Sequence, residues 1–165
     1  MQKLKKWIAP LAFVAIGLSH AQASEFAGPY AGLKYGVDFS HSTGQYSADE
    51  NVPFFGILGG YNWDFQNVVI GAEVFGDFHH HAATKKDGGI DAKLGYPINS
   101  NVMPYVRLGL TGTWPNTRVH YGVGAEYMFA KNFSVAAEWT ADTANTHGST
   151  RSNDSVTVGV HYYFK

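Results

Sequence analysis

The stretch SVTVGVHYYFK (residues 155–165) places an apolar side chain at every second position, which is the period of a β-strand. The apolar set begins at Val156 and ends with the aromatic residues Tyr162 and Phe164. The residues between them are small or polar apart from Tyr163. A strand that is apolar on one side only indicates a sheet whose two faces meet different environments.

Seven earlier segments repeat this alternation, and no segment of ten or more residues shows helical periodicity. Most of these segments have close to the 9–11 residues that a tilted strand needs to cross a bilayer, and 135–140 is the shortest with six. The sequence therefore predicts an all-β protein with eight strands. The seven segments cover residues 30–40, 54–63, 68–78, 89–96, 106–114, 120–129 and 135–140.

Charged residues in these segments all fall on the face opposite the apolar residues. Most of the strand glycines share that face, which suits the narrow interior of an eight-stranded barrel better than a water-facing surface. A membrane barrel turns its apolar face to lipid, whereas a soluble lipocalin-like barrel, the alternative, turns it inward. The charges are Lys34, Asp38, Glu73, Asp77, Asp91, Lys93, Arg107, Glu126 and Glu138.

Aromatic residues cluster near both ends of the apolar face, as the two interfaces of a membrane would select. Connections also alternate: 64–67, 97–101 and 130–132 are short, and 41–51, 79–87 and 143–153 are longer, with 115–118 as a short exception. Outer-membrane barrels have short periplasmic turns and longer outer loops. These patterns predict an eight-stranded antiparallel up-and-down transmembrane β-barrel with both termini in the periplasm.

Residues 1–23 have the build of a cleaved secretory signal: an early basic group, an apolar stretch and the small residues Ala21 and Ala23 before the expected cut. A membrane anchor is the alternative, but Pro10 interrupts the apolar stretch, which is shorter than the roughly 20 residues of a spanning helix.

The remaining residues, 24–165, hold nine basic side chains, the chain's 12 less the three early lysines, against 13 acidic ones. This acidic balance argues against nucleic acid as a partner. The chain has no cysteine for disulfides or thiolate metal sites.

Several stretches resemble the small eight-stranded outer-membrane barrels of Gram-negative bacteria, the family of the OmpA transmembrane domain, the opacity-type surface antigens and the Ail/Lom adhesins. GILGGYNWDFQNVVIGAEVFGDF (residues 56–78) is similar to that family's second and third strands, and PYVRLGLTG (104–112) to its fifth. TVGVHYYF (157–164) resembles the family's sorting signal, which the outer-membrane assembly machinery recognises. The resemblance assigns this signal to Thr157, Gly159, Tyr162 and Phe164. Lys165 departs from the pattern, since family members usually end on the aromatic residue.

The inward charges predict either a closed network that plugs the barrel or the lining of a narrow pore. Because a buried unpaired charge is costly and eight strands leave little room for water, we expect a plug. The predicted network consists of Lys34, Glu73, Asp91, Lys93, Arg107, Glu126 and Glu138.

Histidines offer a second, weaker candidate site. His79, His80 and His81 are consecutive, and imidazoles can bind a transition metal, but adjacent residues of an extended segment point to opposite sides. A solvated polar loop is the simpler interpretation, so we predict neither a metal nor another cofactor.

Some small outer-membrane barrels modify lipid A with a late His-Ser pair, whereas the pair here, His41-Ser42, is early. The sequence therefore predicts no catalytic residues.

These observations favour a surface protein of the outer membrane with a structural or adhesive role. Its loops, residues 41–51, 79–87 and 143–153, would contact lipopolysaccharide, host-surface or matrix ligands, or other proteins, because loops on a rigid scaffold commonly carry recognition. A narrow channel for small solutes is the alternative, and a lipid A-modifying enzyme is a third hypothesis.

Overall fold

The computed structural model describes residues 24–44, 48–79, 86–112, 117–146 and 148–165, which form one closed antiparallel barrel. Each strand pairs with the next along the chain, and the last pairs with the first, so every strand edge has a neighbour. The predicted eight-stranded all-β barrel is confirmed. The strands are β1 (Gly28–Gly44), β2 (Ala48–Phe65), β3 (Val68–His79), β4 (Lys86–Gly95), β5 (Val102–Gly112), β6 (Arg118–Ala130), β7 (Phe133–Thr146) and β8 (Ser149–Tyr163).

The barrel has two different ends, which we call the turn end and the loop end. The turn end carries residues 24–27, the last residues of the chain, and the connections 66–67, 96–101 and 131–132. At the loop end, the described strands end at Gly44, His79, Gly112 and Thr146 and resume at Ala48, Lys86, Arg118 and Ser149. Among the described residues, there is no helix long and apolar enough to cross a membrane.

The prediction of two long loops at 41–51 and 143–153 is wrong. β1 continues to Gly44 and β2 begins at Ala48, while β7 continues to Thr146 and β8 begins at Ser149. These residues are polar on both sides, so they lack the amphipathic alternation that marks a strand in lipid, although their backbones still pair. At these two connections, the loop end is therefore built by longer strands and not by long loops.

The outer face of the barrel is apolar around its circumference. Leu108, Val74 and Val158 are 59%, 59% and 53% exposed, which is the arrangement of a lipid-facing surface and the reverse of a soluble core. Aromatic side chains lie outward toward both ends of this band, among them Trp63 and Phe129 near the turn end. Trp114, the last residue of the predicted segment 106–114 and one of the aromatic residues that we expect at an interface, lies outside the described residues.

Inside the barrel, large rings alternate with glycines on the neighbouring strand. In four cross-strand pairs the glycine directly faces an inward aromatic residue, and a Cβ on that glycine would come within 2.6–2.8 Å of the ring. The glycines thus leave the room that the rings occupy, as in other sheets where an aromatic residue covers a facing glycine. The pairs are Tyr30 with Gly60, Phe54 with Gly36, Phe75 with Gly89, and Tyr105 with Gly124.

Four neighbouring strands extend past the rest of the barrel at the loop end. Pairing continues to Ser42–Ala48 between β1 and β2, to Gly44–Ser149 between β1 and β8, and to Thr146–Ser149 between β7 and β8. On the opposite side the β3–β4 ladder ends at Phe78–Lys86. We call this overhang, residues 40–44, 48–53, 142–146 and 149–154, the wall.

Candidate functional site

Arg107 lies at the centre of the barrel interior and contacts three carboxylates. Its guanidinium donates to Glu73 at 3.1 Å and also to Asp91 and Glu138, and all four residues are buried. β5 carries the arginine, while β3, β4 and β7 supply the acids, so four strands meet at one side chain. The planar guanidinium can donate in several directions at once, which suits this arrangement.

Two tyrosines and a histidine complete the coordination of these carboxylates. The Tyr30 hydroxyl donates to Glu73 at 2.8 Å and the Tyr105 hydroxyl to Glu138 at 2.6 Å, while the His120 ring contacts Asp91. Buried carboxylates need this many partners because an unpaired charge in the interior is strongly unfavourable.

A second cluster lies closer to the turn end around Glu126, which is fully buried. Lys93 Nζ approaches its carboxylate at 3.5 Å, Ser134 and Tyr163 donate hydroxyls at 2.5 and 2.8 Å, and the His161 ring contacts it at 3.0 Å. Lys93 Nζ also lies 4.8 Å from the ring centres of both Tyr30 and Tyr105. These contacts connect the cluster to Arg107 and its three carboxylates, Glu73, Asp91 and Glu138, which we call the Arg107 layer.

The third pair, near the loop end, is Lys34 with Asp77 at 3.0 Å. Lys34 Nζ lies 4.3 Å from the centre of the Phe75 ring. The structure thus buries all seven residues of the predicted network, but it divides them into a group around Arg107, the Lys93–Glu126 pair, and Lys34, whose ion-pair partner, Asp77, is not among the seven.

An apolar plug closes the turn end. Phe26, Met103 and Tyr163 are fully buried, and they pack with Tyr30, Leu58, Val69, Tyr105 and Met128 in one cluster. Asn62 donates to the Phe26 carbonyl at 2.9 Å and to the Tyr163 hydroxyl at 3.3 Å. We name this cluster the plug. The sequence analysis did not identify it, although the apolar members within strands occupy the same alternate positions as the buried charges.

On the other side of Arg107 the lumen widens into a cavity of about 640 Å³. Several of its polar side chains are paired with one another: Arg118 donates to Asp87 at 3.0 Å and to Asp142 at 3.2 Å, and Asn153 donates to Asp142 at 2.7 Å. Ser40 donates to Asn153 at 2.5 Å. These contacts tie the inner face of the wall to β6 and the β4 rim.

The outer face of the wall is polar and exposed. His41 contacts Asp49 across the β1–β2 ladder, Thr43 donates to the Thr150 carbonyl at 3.4 Å, and Thr150 donates to Asn145 at 2.8 Å. Among the described residues of this face there are carboxylates, including Asp49 and the exposed Asp154, but no lysine or arginine.

The residues assigned to the assembly signal lie on both faces of β8. Thr157 and Gly159 face the interior, whereas Tyr162 and Phe164 are exposed and their rings meet edge to face at 5.0 Å. Lys165, unexplained by the sequence, pairs with Glu25 and reaches the Lys131 carbonyl at 3.4 Å.

The structure does not bring the described histidines of the candidate metal site together. His79 is directed inward and contacts Asp38 at 2.9 Å, while His80, His81 and His147 lie outside the described residues. Among the described residues, there is no group of three or more side chains that could hold a metal. In the His41-Ser42 pair the two side chains point to opposite faces of β1: His41 contacts Asp49 outside, and Ser42 lines the cavity.

Comparison with known proteins agrees with this geometry. The family model of the outer membrane protein beta-barrel domain matches residues 8–164. The chain belongs to this family. It is therefore an integral protein of the bacterial outer membrane, and the resemblance inferred from the sequence is confirmed. Outer membrane protein A of Klebsiella aerogenes is 27% identical over 82% of this chain, and the match covers 48% of that relative. The chain thus spans about half the length of the relative.

Solved structures of the same shape include other small barrels. Neisserial surface protein A has a TM-score of 0.58 at 15% identity, with 87% of this chain and 99% of that chain covered. The attachment invasion locus protein Ail of Yersinia pestis has a TM-score of 0.51 at 13% identity, with 83% and 100% covered. A de novo designed transmembrane β-barrel has a TM-score of 0.50 at 16% identity, with 87% and 98% covered. At these identities the likeness shows the fold alone.

Proposed function

We propose that this outer-membrane barrel is a surface protein with a structural and adhesive role, and that the wall is its recognition surface. The observation that carries the proposal is the overhang of four hydrogen-bonded strands on one side of the loop end. Its outer face is polar and exposed, and its inner face is held by the contacts of Ser40, Asn153, Asp142 and Arg118. A rigid, paired surface of this kind loses little conformational entropy when it binds a partner.

The proposal places the loop end outside the cell and the turn end in the periplasm. At the loop end, four strands continue past the aromatic residues of the outer face. Outer-membrane barrels have short turns on the periplasmic side and longer segments on the outer side. It also includes removal of residues 1–23 after Ala23 and recognition of Thr157, Gly159, Tyr162 and Phe164 by the assembly machinery. Lipopolysaccharide, which forms the outer leaflet, would then contact the part of the apolar outer face that lies nearest the loop end.

The charges of the wall indicate the class of partner. Since the outer face has Asp49 and Asp154 but no described lysine or arginine, it favours a neutral or basic partner surface over an anionic one. We therefore propose a host-surface or matrix protein, or another protein, as the ligand.

The alternative functions have less support. For a narrow channel, the plug and the Arg107 layer would both have to open, because their buried side chains fill the turn-end half of the lumen. For a lipid A-modifying enzyme, the chain would need a nucleophile and a base in contact, and His41 and Ser42 face opposite sides.

Shortening the wall tests the adhesive role. One variant replaces residues 42–48 and 145–150 with two-residue turns, which removes the overhang but leaves the plug and the Arg107 layer intact. Cells that display the wild-type chain should adhere to host-cell monolayers or immobilised matrix proteins, and cells that display the short-wall variant should not.

The matched control is Glu25→Gln, a change of an acidic residue at the opposite end, which should leave adhesion unchanged. Both variants must still shift on unboiled gels, which shows that the barrel has folded. Equal adhesion by the short-wall variant and the wild type would contradict the proposal. Discrete openings of wild-type protein in planar bilayers would favour the channel instead.

A further inference from the structure

Residues 24–27 precede the first strand, yet they fold back against the turn end. Ala27 N donates to the Ser24 carbonyl at 3.0 Å and Phe26 N to Ser24 Oγ at 3.2 Å, which closes a tight turn. Phe26 is fully buried in the plug, and the Glu25 carboxylate pairs with Lys165. This short segment is therefore anchored to the barrel although it belongs to no strand.

The backbone nitrogen of Ser24 donates to Asp64 Oδ2. Asp64 lies near the turn end of β2, and its second oxygen, Oδ1, is buried without a hydrogen-bond partner in the described part of the chain. A backbone amide supplies one hydrogen and no charge, whereas an ammonium group supplies three hydrogens and a positive charge. The carboxylate is thus better matched to an ammonium than to the amide of an uncut chain.

We propose that Asp64 is the binding site for the α-ammonium group that removal of residues 1–23 creates at Ser24. The inference rests on the proposed cleavage after Ala23. Hydrolysis of the Ala23–Ser24 peptide bond by water leaves a carboxylate on Ala23 and an amine on Ser24, and that amine takes up a proton at neutral pH. The new cation lies where the Ser24 nitrogen already contacts Asp64.

This site connects the removal of residues 1–23 to the packing of the plug at the turn end. Ser24 is two residues from Phe26, and the turn through Ser24 Oγ and the Ser24 carbonyl joins them. A bond from an ammonium to the Asp64 carboxylate joins two opposite charges, whereas in the bond from the uncut amide only the acceptor is charged. Cleavage therefore strengthens the contact at Ser24 and with it the anchoring of Phe26 in the plug.

The reactivity of the Ser24 amine in the processed protein tests the site. The full precursor is produced in a Gram-negative host, and the N-terminus of the protein in isolated outer membranes is identified by mass spectrometry. Acylation of the α-amine by an N-hydroxysuccinimide ester at pH 7 should be roughly tenfold faster in Asp64→Asn than in the wild type, because a bound ammonium must leave the carboxylate before it reacts. Asp154→Asn, which changes an exposed acidic residue of β8, should react like the wild type.

A second variant inserts Gly-Ser between Ala23 and Ser24, which moves the amine away from Asp64 without changing the barrel. Its amine should react as fast as that of Asp64→Asn, and adding Asp64→Asn to it should change nothing further. If Asp64→Asn does not fold, as judged by mobility on unboiled gels, the insertion variant alone decides.

Cleavage at another bond overturns both the proposed processing and this site. Cleavage after Ala23 with equal acylation in the wild type, Asp64→Asn and the insertion variant overturns the Asp64 site and leaves the proposed processing and function intact.

Discussion

Replacing Arg107 with alanine removes the cation that three buried carboxylates share. Arg107 is 5% exposed, and Glu73, Asp91 and Glu138 are 4%, 5% and 9% exposed, so the three carboxylates have little contact with water. Loss of one partner of a buried ion pair costs about 3–5 kcal/mol. Tyrosine or histidine donors still satisfy each acid, so we expect the free energy of unfolding to fall by about 4 kcal/mol and not by a sum over three pairs.

Arg151→Ala is the matched control. Arg151 pairs with Glu50 at 3.6 Å, and the two side chains are 37% and 43% exposed. Exposed ion pairs of this kind contribute about 0–1 kcal/mol. Arg107→Lys should fall between the two alanine variants, because an ammonium keeps the charge but cannot reproduce the fork of the guanidinium.

Unfolding by urea in phospholipid vesicles, followed by tryptophan fluorescence and by mobility on unboiled gels, measures these differences. The double variant Arg107→Ala with Glu138→Gln should recover part of the loss, since one unpaired buried charge is removed. A loss for Arg107→Ala within about 1 kcal/mol of that for Arg151→Ala would refute the view that the Arg107 layer holds the barrel together.

Three further changes probe the lipid face, the interior and the plug by the same unfolding assay. Leu108→Arg, on the outer face, should cost about 2–4 kcal/mol near the bilayer midplane, and an unchanged midpoint would contradict a lipid-facing position. Gly109→Ala should cost about 1–3 kcal/mol because its Cβ would lie 2.5 Å from the Ile90 carbonyl oxygen and against Asp91. Gly76→Ala meets only Ile57 at 4.0 Å and should be within about 1 kcal/mol of wild type; equal effects at the two glycines would contradict the packing. Phe26→Ala should cost about 3–5 kcal/mol by leaving a cavity in the plug, whereas a loss below about 1 kcal/mol would show that the plug does not stabilise the barrel.

The sequence was enough to predict which face of each strand meets lipid. Each side chain lies either in lipid or in the barrel interior, and its own polarity indicates which. Leu108 next to Arg107 is enough to show that one position contacts lipid and the next does not. The same reasoning failed where the barrel leaves the membrane. The described wall residues 41–44, 48–51, 143–146 and 149–153 are mostly polar, so their continued pairing left no signal in the hydrophobic pattern.

The interior site could be predicted only in part. The seven charged residues share the inward positions, but so do Tyr30, Phe54, Phe75, Tyr105 and Tyr163, which carry no charge that would mark them as part of the site. Glycines at alternate positions were the available signal, because a narrow barrel that also has large inward rings needs space opposite each ring.

By itself, the sequence determined the number of strands and the face of each that meets lipid, because these follow from residues two apart on one strand. The connections between the segments indicated their up-and-down order. Tertiary structure alone decided which groups meet inside. Lys165 pairs with Glu25 140 residues away, Tyr30 with Glu73 43 residues away, and Phe26 closes a lumen built from other strands. Such partners depend on the register of all eight ladders and on the closure of β8 against β1, and alternation along a single strand has no information about either.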